Sequence, residues 1–241
     1  MNNHVLNANR NNIVQKPKIK AIIFDLDGTL VDSEPNYFEA DRKLLAEYGI
    51  MDFDEKMKNK YIGIGAKEMM EDVKKIYQIS ETVDVLLGKK NKYYIEIARN
   101  STVVFPEMQK FLELLKENNY PIALASGSSP EVIDEVLSAT NLKKHFDIIL
   151  SAENVKKGKP APDIFLESAK QLGVPSENCL VIEDSQYGVE AAKSAAMHCI
   201  ALPYLTEDAL HDSYFMADLL FKNGISEFTA AKAFEWLATV S

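Results

Sequence analysis

The sequence predicts an α/β fold: a doubly wound parallel sheet, a Rossmann-like core, with an all-helical cap domain inserted after the first strand. Three observations lead there. Short, almost wholly apolar runs ("AIIF", "PIALAS", "DIIL", "CLVI", "CIAL") alternate with helical patterns through the second half of the chain, and strands without polar alternation belong to sheets covered on both faces. From about residue 34 to 100, apolar residues recur at three- and four-residue spacing and no alternating stretch interrupts them. Polar clusters fall just beyond the carboxyl ends of the strand runs, where open parallel sheets bind their ligands.

Taken in order, residues 1–17 are rich in Asn and lack a period, which reads as a loose, disordered tail. The first strand spans Ala21 to Phe24. Three helical patterns follow: "YFEADRKLLAEYG", "AKEMMEDVKKIYQI" and "ETVDVLLGKKNKYYIEIARN", the last starting near Ser80 and Glu81. After the strand "PIALAS" a helix starts at Pro130, a residue suited to a first turn. "DIIL" leads through a loop to the helix "APDIFLESAKQLG", with Gly173 as its stop. "CLVI" leads to "GVEAAKSAAM", and "CIAL" and "DLLF" close the pattern. The expected parts are the tail, a core of 18–33 plus 101–241, and a cap of 34–100.

The 241 residues suffice to bury a real core, and 46% hydrophobic with 26% charged residues fits an ordinary globular protein. The net charge of −9 disfavours nucleic acid and anionic membranes as partners. Cys179 and Cys199 each open an apolar run and suit core packing, not a disulfide framework. The four histidines show no metal-ligand spacing. No stretch has the length of a membrane span, and the start lacks a signal peptide's apolar core, so the expectation is a cytoplasmic protein and, by default, a monomer.

Four polar clusters stand at strand ends: Asp25/Asp27/Thr29, Ser126-Gly127-Ser128, Lys159, and Glu183-Asp184. Each has a bland reading. Asp-Gly is a common turn pair, Asp184 or Ser185 could cap the helix that follows, Ser126 could be a cap or turn, and loop lysines are usually solvated. Together they are complementary. Asp25, Asp27, Glu183 and Asp184 form an oxygen-rich anionic set suited to a hard cation such as Mg²⁺. A cation, Lys159, the Ser126 hydroxyl and backbone amides around a carboxylate would bind a phosphoryl group.

"DLDGT", "LASGS", "GKPAPD" and "VIEDS", in this order, resemble the four motifs of the haloacid dehalogenase superfamily of phosphotransferases. The resemblance runs from about residue 20 to 222, cap included, and within the superfamily it is to the β-phosphoglucomutase-like group. It implies Asp25 as the nucleophile that forms an aspartyl-phosphate, and Asp27 as general acid and then base. It further implies Thr29 as support for the first loop, with Ser126, Gly127 and Lys159 at the phosphoryl oxygens. Mg²⁺ would be held by Asp25, the Asp27 carbonyl and Asp184, with Glu183 beside or on it. The implied activity is a phosphatase acting on a small phosphorylated metabolite, a sugar phosphate in the first instance.

Two alternatives stand beside it. One is β-phosphoglucomutase itself. Against it, Ile62 and Ala66 occupy cap positions where such mutases carry Lys and Arg, Ser129 and Pro130 stand where they have Lys and Asn, and Tyr37 replaces a hinge His. Lys60 and Lys67 are near enough to compensate. The other is a catalytically silent ligand-binding or scaffolding member of the fold, which the full set of motif residues disfavours. In the cap, Tyr61, Lys67, Met69 and Met70 are candidates to face the cleft, although a methionine stripe more often packs a core. Ala196, where relatives often have Gly, bears on packing rather than chemistry.

Overall fold

In the computed structural model the described residues are 18–61, 65–204 and 209–240. The tail expected at 1–17, and Ile62, lie outside them. The first strand, β1 (Ala21–Phe24), is wholly buried. Ile22 and Phe24 point into one apolar cluster and Ala21 and Ile23 into another, so neither face has room for a polar side chain. β2 (Val31–Asp32) then leaves the core and β3 (Val103–Val104) returns to it, paired antiparallel with Val31 opposite Val104.

Between these two crossings lie α1 (Glu34–Ala46), α2 (Glu55–Asn59), α3 (Ala66–Ile76) and α4 (Val83–Ser101). They form a cap with its own apolar centre, which includes Leu44, Phe53, Met69, Met70 and Leu86. Met69 and Met70 therefore pack the cap interior, while Ala66 and Lys67 are exposed. The start of α4 differs from the expected Ser80–Glu81. Thr82 is the cap, accepting the Val85 N–H at 3.4 Å, because the Lys74 ammonium gathers the carbonyls of Ile79, Ser80 and Glu81 and holds that stretch as a turn.

The chain continues through α5 (Pro106–Glu117), β4 (Ile122–Ser126), α6 (Pro130–Ala139), β5 (Ile148–Ser151), α7 (Asp163–Leu172), β6 (Cys179–Glu183), α8 (Gln186–Ser194), β7 (His198–Ala201), β8 (Leu219–Leu220) and α9 (Ala230–Val240). Among the described residues the main sheet is parallel throughout, in the order β5-β4-β1-β6-β7-β8. Helices α5, α6 and α9 pack on the Ile22/Phe24 face, and α7 and α8 on the other. The winding passes from one side of β1 to the other, so the carboxyl end of β1 opens into the crevice where such sheets bind ligands. No helix among the described residues is long and apolar enough to cross a membrane.

Gly173 ends α7 in the left-handed region (φ 70°), as expected. Ala196 adopts the same kind of conformation (φ 58°) with an exposed side chain. A Cβ there costs about 1–2 kcal/mol, partly offset by the greater freedom of glycine in the unfolded chain. Ala196→Gly is expected to raise the melting temperature by about 2 °C, the scale of a net gain below 1 kcal/mol in a chain of this size. A lower melting temperature in a calorimetric scan would show that the methyl group packs usefully.

Candidate active site

Asp25 continues β1, its N–H bonded to the Ile182 carbonyl at 3.0 Å, so the sheet ladder fixes its backbone. Its Oδ1 lies 2.5 Å from the Lys159 ammonium. Lys159 also donates to Glu183 Oε1 at 2.6 Å and to the Ala125 carbonyl at 3.2 Å, and it stands 5.1 Å from the centre of the Phe165 ring. Although burial opposes the ammonium, Asp25 and Glu183 raise its pKa, so Lys159 is a fixed cation. The loop lysine of the bland reading is thus the pivot of the site.

After Asp25 the chain turns. Gly28 has φ 79°, and a methyl group there would stand 2.3 Å from Asp184 Oδ2. Glycine therefore supplies the turn and the space for the Asp184 carboxylate to approach the loop. Thr29 Oγ1 donates to Asp184 Oδ1 at 3.1 Å, and Tyr214 donates to the Asp184 carbonyl at 2.8 Å. Of the two caps considered for α8, Ser185 is the one used: its hydroxyl accepts the Gly188 N–H at 3.0 Å. Asp184 is thereby free for other work.

Asp27 faces different partners. Its Oδ2 accepts from the Ser128 hydroxyl at 2.7 Å and from Ser126 at 3.4 Å, and Ser126 Oγ in turn accepts the Ser128 N–H at 3.0 Å. Tyr37 on α1 places its hydroxyl 2.7 Å from Ser128 Oγ. An ionised Asp27 takes the single Ser128 proton, so Tyr37 is the donor to Ser128. Asp27 Oδ1 is buried and has no hydrogen-bond partner among the described residues. One oxygen is thus held by the serines and the other is left for a reacting group.

The electrostatics of the set are unbalanced. Four acidic side chains, Asp25, Asp27, Glu183 and Asp184, meet one lysine. Burial, only partly countered by Lys159 and reinforced by Glu183 and Asp27, pushes the Asp25 carboxyl up to about 8. Burial likewise raises Asp27, against the hydrogen bonds of Ser128 and Ser126. It also raises Asp184 well above the usual carboxylate range, with Glu183 and Asp25 adding to the effect. Burial makes the charged form of each carboxyl costly, and a hard divalent cation among them would offset that cost. No three such side chains among the described residues form a ready-made metal cage; the fit rests on the donor chemistry of the four carboxylates.

The family model described as haloacid dehalogenase-like hydrolase matches residues 22–202. The chain belongs to the haloacid dehalogenase-like hydrolases. This hydrolase is a phosphatase of that type. It is 32% identical over 186 residues to the phosphorylated carbohydrates phosphatase of Thermotoga maritima, covering 76% of this chain and 84% of that protein. It is 29% identical to a fructose-1-phosphate phosphatase of Escherichia coli, covering 74% and 94%. The structure of β-phosphoglucomutase from Clostridium difficile matches with TM-score 0.75 and 30% identity over 92% of this chain and 98% of that one.

Every expected site residue of the hydrolase lies at the carboxyl edge of the sheet. Asp25, Lys159 and Glu183 form one contiguous group, Asp27 and Ser126 a second, and Thr29 and Asp184 a third. Gly127 is exposed at the turn after β4 and touches none of them by side chain. Sequence reasoning missed Ser128 and Tyr37 in this role, and it missed Gly188. A methyl group on Gly188 would fall 1.8 Å from Glu183 Oε1. Both Glu183 oxygens are engaged, Oε1 with Lys159 and Oε2 with the N–H (2.8 Å) and hydroxyl (3.0 Å) of Ser185. Gly188→Ala must therefore displace Glu183 and, with it, Lys159. An activity loss of about 100-fold is expected, the scale of a misplacement near 1 Å. Wild-type kcat/KM in a steady-state assay of this variant would show that Lys159 does not depend on Glu183.

Proposed function

We propose that this phosphatase is Mg²⁺-dependent and hydrolyses a small phosphorylated sugar or related metabolite through an aspartyl-phosphate on Asp25. The observation that carries the reading is the Asp25–Lys159 contact of 2.5 Å at the end of the central strand, with an Asp27 oxygen left unpartnered nearby. In the first step an Asp25 oxygen attacks phosphorus, the bond from phosphorus to the leaving oxygen breaks, and Asp27 delivers its proton to that oxygen. In the second, water attacks the phosphorus of the acyl phosphate and gives its proton to Asp27, and inorganic phosphate leaves Asp25 regenerated. Lys159, Ser126 and the Gly127 amide hold the phosphoryl oxygens in place, and Lys159 keeps Asp25 oriented. Asp25, the Asp27 carbonyl and Asp184 would hold Mg²⁺, which would supply charge neutralisation for the phosphoryl group. Glu183 stands close by and, with both oxygens engaged, acts chiefly by fixing Lys159.

The relatives named for carbohydrate and fructose phosphates support the substrate class. The β-phosphoglucomutase likeness keeps a mutase as the competing reading. Water is favoured as final acceptor because the positions expected to grip a distal phosphate carry no charge. Ala66 is an exposed alanine, and Ser129 is engaged by the Asn91 amide at 3.2 Å across the join of cap and core. We also read the protein as a cytoplasmic monomer, with residues 34–100 as the cap that closes over the substrate.

The test is phosphate release from a panel of sugar monophosphates with and without Mg²⁺. Chelator is expected to abolish release and added Mg²⁺ to restore it, with Asp184→Ala requiring far more Mg²⁺. Full activity in excess chelator would remove the metal from the reading. Phosphorus NMR on β-glucose 1-phosphate with a trace of the 1,6-bisphosphate decides the acceptor: glucose 6-phosphate accumulating faster than free phosphate would favour the mutase.

A further inference from the structure

The cap holds a buried charge cluster that the reaction above does not use. Asp41 of α1 is fully buried, with Lys90 Nζ of α4 at 2.7 Å from Oδ1 and Lys58 Nζ of α2 at 3.7 Å from Oδ2. Lys58 also lies 3.3 Å from Glu34. Relative exposures of 7% for Lys58 and 2% for Lys90 mean that neither is a solvated surface lysine. Both ammonium groups stand near the face of the Tyr37 ring, 5.6 and 5.3 Å from its centre. The hydroxyl of that same ring reaches Ser128, which holds Asp27. The cluster is thus one tyrosine ring and one serine away from Asp27.

Asp41 needs an account. It lies on the buried stripe of α1 with Asn36, Ala40, Leu44 and Leu45, where an apolar residue would pack without the desolvation of a carboxylate. Its effect on the cleft is clear from the charges. Lys58 and Lys90 are matched by Asp41 and Glu34, so the cluster is neutral. Without Asp41 the cluster behind the Tyr37 ring would hold two buried cations against one acid, and a low-dielectric region of that sign attracts anions. Glu34 Oε2 is buried 3.3 Å from Lys58 Nζ, so Glu34 shares Lys58 with Asp41 and supplies the second negative charge of the cluster.

We propose that Asp41 is a specificity-determining residue: by occupying Lys58 and Lys90 it keeps the cap wall neutral and reserves the site for phosphate esters whose other end bears hydroxyls rather than a carboxylate or a second phosphate. This rests on the phosphatase reading for the chemical step. The two are separable, because hydrolysis of an aryl phosphate by the wild-type enzyme reports the chemistry alone.

The experiment compares kcat/KM for a hexose monophosphate, phosphoglycolate and fructose 1,6-bisphosphate. The wild type is expected to prefer the hexose monophosphate. In Asp41→Asn the ratio should move toward the two anionic-ended substrates by about tenfold, chiefly through KM, the scale of one uncompensated charge at this range. Asp41→Asn/Lys90→Met restores neutrality and should return the ratio to the wild-type value. If Asp41→Asn does not fold, Lys58→Met, which leaves the wall one charge negative, should move the ratio the opposite way. A parallel fall for all substrates in Asp41→Asn, an unmoved ratio in Lys58→Met, or a wild-type preference for the anionic-ended substrates would overturn the proposal. Absence of aryl phosphate hydrolysis by the wild type would instead overturn the phosphatase reading.

Discussion

Asp25→Asn is expected to give a folded protein with activity reduced by about 10⁵-fold or more, the scale of removing a covalent nucleophile. The amide is nearly isosteric and poorly nucleophilic. It also removes a buried carboxyl whose charged form burial opposes, while Lys159 keeps Glu183 as its partner. The melting temperature should therefore hold while turnover disappears. Acid quenching with labelled substrate gives the direct check: label stays on wild-type protein and does not stay on Asp25→Asn. Substantial residual turnover would mean that a different group attacks phosphorus.

Asp27→Asn is expected to cost about 10²- to 10⁴-fold on alkyl phosphates, the range for a lost general acid. The loss should be smaller on aryl phosphates, whose phenolate leaves without a proton. Ser128 and Ser126 can hold the amide much as they hold the carboxylate, so geometry is largely kept and only the proton is missing. Equal losses on the two substrate types would take Asp27 out of the acid role. Ser128→Ala leaves the carboxyl chemically intact but removes its link to Tyr37, and a smaller loss with the same leaving-group trend is expected.

The sheet and the motif residues were legible because they obey local rules. "AIIF" has no polar position because β1 is covered on both faces, and the polar clusters sit at strand ends because that is where a parallel sheet opens. What stayed hidden depends on distance in sequence. Gly188 reads as an ordinary helical glycine until Glu183 is seen against it, and Ser128 reads as a turn residue until Tyr37 arrives from the cap. Asp41 did leave a trace: a charged residue on the apolar stripe that includes Ala40, Leu44 and Leu45 asks for a buried cation, and Lys90 lies on the matching stripe of α4 with Leu86 and Tyr94. α5 was legible in principle, since Met108, Phe111, Leu112 and Leu115 follow a helical period behind Pro106. α9 lies past the last motif, outside the alternation of apolar strands and helices.

The position of β1 in the sheet has a consequence for how the chain is made. Ile22 pairs with Ile122 on one side and with Leu180 on the other. While the ribosome is still building the polypeptide, this wholly buried strand has neither neighbour, and the second emerges on the order of ten seconds after it. The cap helices meet no such delay, since their contacts are closer in sequence and their apolar centre is their own. The nascent molecule is thus expected to form its helical bundle behind a strand that is still unpaired. Substitutions that slow the docking of β6 should therefore appear first as lost yield of folded chains, before any fall in the turnover of those that succeed.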